Sequence, residues 1–248
     1  MNQRPRIGIT TSLNEGEQRL DRRYVESVRL AGGLPLIVPM TTDRETLLEF
    51  AKLLDGLVVT GGPAIVDGLI GELPSDISLT DPVRIEADKT ILGAFLETRR
   101  PVLGICYGMQ LLNAVRGGTI FADFSDRPAP VDASPSAGRT LGDGHTTHAA
   151  VVHSSNRGGT EHIVQAEPGS RLAEILGSSR FVVNTRHIQA VAAVGAGLKA
   201  TLYAEDGCIE GIEDDSGLIL GVQFHPERMG QETQALFETL VESARQKT

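Results

Sequence analysis

Pro101-Val102-Leu103-Gly104-Ile105-Cys106-Tyr107-Gly108-Met109-Gln110 places a cysteine between two glycines, where an apolar strand gives way to a helix. This is the layout of a nucleophile elbow. The strand 102–105 carries the thiol to the edge of a sheet, and the helix starting near Tyr107 aims its first amides at the sulfur, which favours the thiolate. Gly104 and Gly108 suit a turn that brings the strand and helix backbones too close for Cβ atoms. Taken alone, Cys106 reads equally well as a buried structural cysteine, since a free thiol packs as a small hydrophobe.

Toward the C-terminus a strand-like run, 218–224, ends in His225-Pro226-Glu227. Side chains two apart on an extended strand share a side, so Glu227 can fix one tautomer of His225 while the other ring nitrogen meets a nucleophile. Pro226 is expected to keep the segment extended and to delay any helix. An isolated H-P-E is also what a solvated strand end looks like. Beside Cys106 it gains meaning, because a cysteine nucleophile and its histidine need be neighbours only in space.

At these residues the chain resembles the class I glutamine amidotransferase superfamily, whose signatures are G-x-C-x-G-x-Q and H-P-E and whose triad is Cys-His-Glu in that order. It is more narrowly similar to the gamma-glutamyl-gamma-aminobutyrate hydrolase-like branch, peptidase C26. That likeness is carried by Gly61-Gly62-Pro63, Asn184-x-x-His187-x-Gln189, Glu205-Asp206-Gly207-x-Ile209-Glu210 and Gly221-Val222-Gln223-Phe224-His225-Pro226-Glu227. The resemblance implies an α/β fold, a flavodoxin-like three-layer sandwich with a mostly parallel central sheet and a nucleophile elbow. It implies a catalytic set of Cys106, His225 and Glu227, an oxyanion hole from the backbone amides of Gly62 and Tyr107, and substrate contacts from Gly61, Gln110, Arg186, His187 and Gln189. No metal and no organic cofactor are expected. The chain departs from the branch at Tyr107, where Arg is common, at Ile188, where a second His is common, and at Ile85, where Asp follows Arg. These departures leave the amine side of the substrate open. The Tyr107 ring is expected to pack against that side, with Arg84 able to supply a charge.

The remaining sequence bounds the answer. A length of 248 residues with 40% apolar content is ample for a core, and with no linker in its middle the chain reads as one domain, 1–248. A net charge of −9 with scattered Lys and Arg argues against nucleic acid. The N-terminal apolar run is too short for a membrane span or a signal segment, and two cysteines suit a reducing compartment, so the chain reads as cytoplasmic. The expected partner is a small gamma-glutamyl molecule, with a homodimer left open.

Apolar runs at 6–10, 34–38 and 56–60 alternate with amphipathic stretches at 22–31 and 44–54, which is βαβα patterning and predicts a parallel sheet covered on both faces. Asp81 and Pro82 open a helix that runs to about residue 99. Residues 123–146 lack an apolar period and read as a long loop, either a lid or an insertion without a role. Short strands are expected at 147–152, 162–166, 181–183, 198–204 and 208–212, with Asp206-Gly207 as a hairpin turn and a last helix over 233–244. Gly61-Gly62-Pro63 follows a strand and so belongs at the carboxyl edge where α/β ligands bind, although an ordinary tight turn reads the same. Gln110, one helical turn past Cys106, is within reach of a substrate head group and would otherwise be a surface glutamine. His145, His148, His153 and His162 invite a metal reading. No carboxylate or cysteine completes a recognisable set in the sequence, so they are expected to be solvated or packed, and Cys208 to be core.

The activity these residues point to is a cysteine hydrolase that cleaves a gamma-glutamyl amide through a thioester. A glutaminase subunit feeding ammonia to a separate synthetase shares the same triad. A non-catalytic binding protein on the same fold is the third reading.

Overall fold

The computed structural model describes residues 3–127 and 151–246. Nine strands form the main path of its large sheet: β1 (Arg6–Ile9), β2 (Leu34–Ile37), β3 (Gly56–Val59), β4 (Val102–Ile105), β5 (Glu161–Ala166), β6 (Arg180–Asn184), β7 (Leu198–Ala204), β8 (Ile209–Asp214) and β9 (Ile219–Val222). They are ordered β6-β5-β7-β8-β9-β4-β3-β1-β2. From β9 to β2 every pairing is parallel, as the βαβα pattern requires. From β9 outward to β6 every pairing is antiparallel, so the second half of the chain extends the parallel centre as an antiparallel sheet in which β5 lies between β6 and β7.

Period-two alternation along the parallel strands splits the core into two layers. Ile7, Ile9, Val58, Leu103 and Ile105 pack with Tyr24 and Val28 of α1 (Arg22–Leu30) and with Leu236, Phe237, Leu240 and Val241 of α6 (Gln234–Arg245). Leu57, Val59 and Val102 face the other way, against α2 (Arg44–Lys52), α3 (Pro82–Glu97) and α4 (Tyr107–Val115). The result is the three-layer α/β sandwich. Asp21, Asp43 and Asp81 cap α1, α2 and α3 by accepting from backbone N–H groups of the first turn. α4 has no side-chain cap, because its N-cap position is Cys106. No helix among the described residues is long and apolar enough to cross a membrane.

Several elements differ from expectation. The exposed hairpin Ser12–Asn14 with Glu17–Arg19 escaped sequence reading because it is polar on both faces; Glu15 and Gly16 turn it at positive φ. α5 (Arg171–Leu176) is too short to show a helical period, though Ser170 caps it. Ala190–Ala193 pairs with Thr119–Phe121 and β8 beside the main path. Of the strand expected over 147–152, residues 151 and 152 are irregular and the rest lies outside the described residues, as does most of the loop assigned to 123–146. Its described start, 123–127, is a 3₁₀ turn capped by Asp123, whose carboxylate pairs with Arg157.

Candidate active site

β4 ends at Ile105, and Cys106 turns the chain into α4 with φ 53° and ψ −106°, a conformation that L residues rarely adopt. The strain holds because the turn is fixed on both sides. The Cys106 amide donates to Val222 O of the neighbouring strand at 2.8 Å, and Gln110 N donates to Cys106 O at 3.1 Å. A Cβ on Gly104 would come within 2.7 Å of Gly108 O, and one on Gly108 would strike the backbone of Val59. The two glycines therefore let the elbow close. At N1 of an uncapped helix the Tyr107 amide has no intrahelical acceptor and is available to a ligand.

His225 follows β9 on the adjacent parallel strand. Its Nδ1 lies 2.8 Å from Glu227 Oε1, and Glu227 is buried. The route differs from the one expected: Pro226 does not keep the segment extended but starts a 3₁₀ turn, Pro226–Arg228. Proline's fixed φ suits a first helical position, and the turn still brings Glu227 back to the ring. Burial pulls the His225 pKa down, but the Cys106 thiolate beside it, with Glu227 behind, outweighs this and pushes it up to about 10. The imidazole therefore sits between sulfur and carboxylate.

Residues outside the expected set hold this arrangement. Asn184, at the end of β6, clamps the His225 backbone, donating to its carbonyl at 2.8 Å and accepting from its amide at 3.0 Å. Gln223 Nε2 lies 3.5 Å from Cys106 Sγ. The Gly61 amide donates to Tyr24 Oη at 3.1 Å, and that hydroxyl is 3.4 Å from His225 Nδ1. A Cβ on Gly61 would meet the His225 ring at 2.6 Å, so only glycine lets the loop and the imidazole approach. Gly61 therefore borders the histidine, and Gly62 is the member of the pair that lines the cleft. Asn184 and Gln223 belonged to legible motifs, without a role assigned to either, but Tyr24 carried no signal beyond an apolar helix face.

Cys106 opens into a cleft of about 330 Å³ lined by Gly62, Gln110, Arg186, His187 and Gln189 among others. Two of the expected substrate contacts take different roles there, and a third is half committed. His187 turns Nδ1 to Gln189 O at 3.0 Å and Nε2 toward Glu210, so both nitrogens face protein. Gln189 spends its amide on the backbone of Ile65, accepting at 2.9 Å and donating at 2.8 Å. These two residues build the wall and do not present polar groups to a ligand, because the buried backbone behind them needs partners. Gln110 Nε2 is committed to Gln189 O and Gln223 Oε1, leaving its Oε1 as what it can offer. Arg186 is exposed and is the cation among the described lining residues.

The expectation for Tyr107 and Arg84 is overturned. The Tyr107 side chain is fully buried, with the Arg84 guanidinium 4.2 Å over its ring. Arg84, equally buried, donates to Asp88 at 3.1 Å, Ser12 Oγ at 2.8 Å and Gly61 O at 3.0 Å. Both are buried, Arg84 bonding the carbonyls of the Thr60-Gly61 loop, and neither lines the cleft. α4 puts its first side chain on the sheet side, which the sequence departure alone did not reveal. Burial pushes the Asp88 pKa up to about 6 against the pull of Arg84.

A second polar group lies behind the cleft wall. Glu210 on β8 is fully buried, and His153 Nδ1, His162 Nε2 and His187 Nε2 stand 3.4, 3.1 and 3.3 Å from its Oε1. Of the histidines expected to be solvated or packed, His153 and His162 are packed, with ring centroids 4.7 Å apart, but around a carboxylate, Glu210, that was not counted with them, and with Cys208 beside it. His145 and His148 lie outside the described residues. Burial pulls His153 down, yet Asp206 and Glu210 push it up to about 9; burial also pulls His187 down, and Glu210 does not offset it.

With this geometry in view, comparison with known proteins assigns the lineage. A family model described as Peptidase C26 matches residues 4–227, and the chain belongs to that family. It is 33% identical over 218 residues to "Putative glutamine amidotransferase PB2B2.05" of Schizosaccharomyces pombe, covering 87% of this chain and 78% of the relative. It is 28% identical over 247 residues to the gamma-glutamyl-gamma-aminobutyrate hydrolase PuuD of Escherichia coli, covering 96% and 92%. The solved structure of a putative GMP synthase component from Thermoplasma acidophilum superposes with a TM-score of 0.63 at 16% identity, over 100% of this chain and 97% of that one, and shows the shared fold. As a peptidase C26 member, the protein is a hydrolase acting on C–N bonds.

Proposed function

We propose that this peptidase C26 chain hydrolyses the gamma-amide bond of a small gamma-glutamyl compound, with Cys106 as nucleophile, His225 as proton carrier and Glu227 as its orienting acid. The observation that carries the reading is the ordered run of thiol, imidazole and carboxylate at the mouth of a cleft that offers an exposed cation, Arg186, and the acceptor Gln110 Oε1. A glutamyl head group carries one carboxylate and one ammonium, which match that cation and that acceptor. The activity for which the E. coli relative is named supports the same substrate class.

In the reaction, Cys106 Sγ attacks the gamma-carbonyl carbon, and the amides of Gly62 and Tyr107 receive the oxyanion. The C–N bond then breaks and the His225 proton leaves on the amine. The pKa causes make this step self-timing. While sulfur is a thiolate its charge holds the proton on His225; once the sulfur is acylated that charge is gone and burial works toward releasing the proton. Neutral His225 next takes a proton from water, which attacks the thioester and frees glutamate and the thiol. The two buried free cysteines fit a reducing cytoplasm.

The test is glutamate release from a panel of gamma-glutamyl amides, glutamine included, by the purified chain alone. Turnover of one or more amine conjugates is expected. Ammonia from glutamine alone, and only with a second protein present, would replace the reading with a glutaminase that serves a synthetase.

A further inference from the structure

The group around Glu210 is built unlike a hydrogen-bond network. Three imidazole nitrogens converge on one carboxylate oxygen at 3.1 to 3.4 Å, yet none of His153 Nδ1, His162 Nε2, His187 Nε2 or either Glu210 oxygen has a hydrogen-bond partner in acceptable orientation. All four side chains are at most 5% exposed. Unsatisfied buried polar atoms on this scale are costly, and each needs an explanation. Ligands that share a tetrahedral ion at about 2.0 to 2.1 Å stand about 3.3 to 3.4 Å from one another and point at the ion rather than at each other. The three distances to Glu210 Oε1 fall at or near that spacing, and the atoms make no well-oriented hydrogen bonds with one another.

The outer contacts fit at two of the three histidines, His162 Nδ1 having no hydrogen-bond partner. A ligating histidine usually donates its second ring N–H to a carboxylate or carbonyl, which fixes the tautomer. His153 Nε2 lies 3.1 Å from Asp206 Oδ2, and His187 Nδ1 lies 3.0 Å from Gln189 O, leaving the inward nitrogens unprotonated when an ion is bound. Cys208 contributes a thiol to the same group, whose ligand atoms with His153, His187 and Glu210 all lie within 4.8 Å of one another.

We infer that His153, His162, His187 and Glu210 form a structural site for a divalent transition-metal ion of the zinc class. The set is closed and buried, with a mixed imidazole and carboxylate donor shell that suits zinc better than a hard cation. Its role follows from where the ligands sit. His153 adjoins Ser154, and His187 lies between Arg186 and Ile188, all of which line the cleft, while His162 and Glu210 belong to the strands β5 and β8. The ion ties two loops of the cleft wall to the sheet. It takes no part in the chemistry at Cys106, so the inference is independent of the substrate reading.

The test is metal content, by plasma mass spectrometry, of untagged full-length protein purified without chelator and desalted after equimolar zinc. About one ion per chain is expected, both in wild type and in Cys106→Ala, which reports the site whatever becomes of catalysis. His162→Ala, whose side chain is not part of the cleft wall, should retain less than about a fifth of that. Should His162→Ala fail to fold, wild type stripped with dipicolinate gives the second readout: Tm should fall by about 10 °C and return on adding zinc, with KM raised more than kcat is lowered. Wild type that holds no zinc after desalting, with a Tm indifferent to zinc and chelator, would overturn the site and leave a metal-free buried cluster in its place.

Discussion

The molecule holds two groups made from the same residue types. At the parallel edge Cys106, His225 and Glu227 stand in line, with the imidazole in the middle. In the antiparallel extension Glu210 is in the middle, with three imidazoles around it and Cys208 to one side. Order decides the chemistry. An imidazole between sulfur and carboxylate can pass a proton, whereas a carboxylate encircled by imidazoles can only be neutralised or share a cation. The first group also stores strain at Cys106 and opens to a cleft, while the second is sealed.

Removing the sulfur at each place should separate the two most widely. Cys106→Ala is expected to lower kcat/KM by about 10⁴-fold or more with Tm within a few degrees of wild type, since only the nucleophile is lost. Cys208→Ala should leave kcat/KM within about threefold, its cost being the packing of a buried thiol. Comparable losses of activity would erase the distinction. His225→Ala should follow Cys106→Ala closely, at about 10³- to 10⁴-fold, and Glu227→Gln should cost about 10- to 100-fold, because the orienting acid does not touch the substrate. A larger loss for Glu227→Gln than for His225→Ala would reverse the roles given to them. Glu210→Gln belongs to the other class: leaving three histidines around a neutral amide is expected to lower stability by about 3 kcal/mol, measured by denaturant unfolding, with kcat on the remaining folded protein far less affected.

What could be read from the sequence follows the same divide. The elbow is local, with strand, turn and helix inside ten residues, and H-P-E is local too, so both were legible, as were the Asp-capped helices and the parallel strands. The contacts that hold the triad in place were not. Asn184, Gln223 and Tyr24 act on His225 and Cys106 through contacts spanning 41, 117 and 201 residues of sequence. Glu210 meets its histidines from three other segments, and no spacing rule joins them. His187 and Gln189 were found by motif, yet motif could not say which way their side chains turn. Burial decided that: the Gln189 amide satisfies the backbone of Ile65, and the His187 imidazole turns inward to Gln189 O and toward Glu210.

The charge on His225 offers a finer contrast within the first group. Its folded pKa, about 10, lies above the usual value near 6.5, so the stability it contributes is complete below about pH 6.5 and is lost as pH rises through about 10. Tm of wild type should therefore fall between about pH 6.5 and 10. Burial lowers this pKa and Cys106 leads the causes that raise it, so Cys106→Ala should show a flatter alkaline limb than wild type over the same range. Parallel curves would mean that Glu227 alone sets the proton on His225.

The smallest effect expected tests the floor of the site. Tyr107 stands directly after the nucleophile, where a side chain in the cleft would read the leaving amine. Instead its ring lies in the core under the Arg84 guanidinium, and its hydroxyl has no hydrogen-bond partner in acceptable geometry. Tyr107→Phe keeps the ring, the stacking and the backbone amide, and removes a buried hydroxyl that lies beside Asp88 rather than in the cleft. It should change kcat/KM by less than about threefold, and by the same factor for a gamma-glutamyl amide whose amine bears a carboxylate and for one whose amine is uncharged. A shift in the ratio between the two would place the ring in contact with the substrate and contradict its burial. Arg186→Ala is the matched control on the exposed side of the cleft. By removing the cation expected to meet the glutamyl carboxylate, it should raise KM for both substrates together, by about 10-fold or more. The pair distinguishes a residue next to the nucleophile in sequence from one next to the substrate in space.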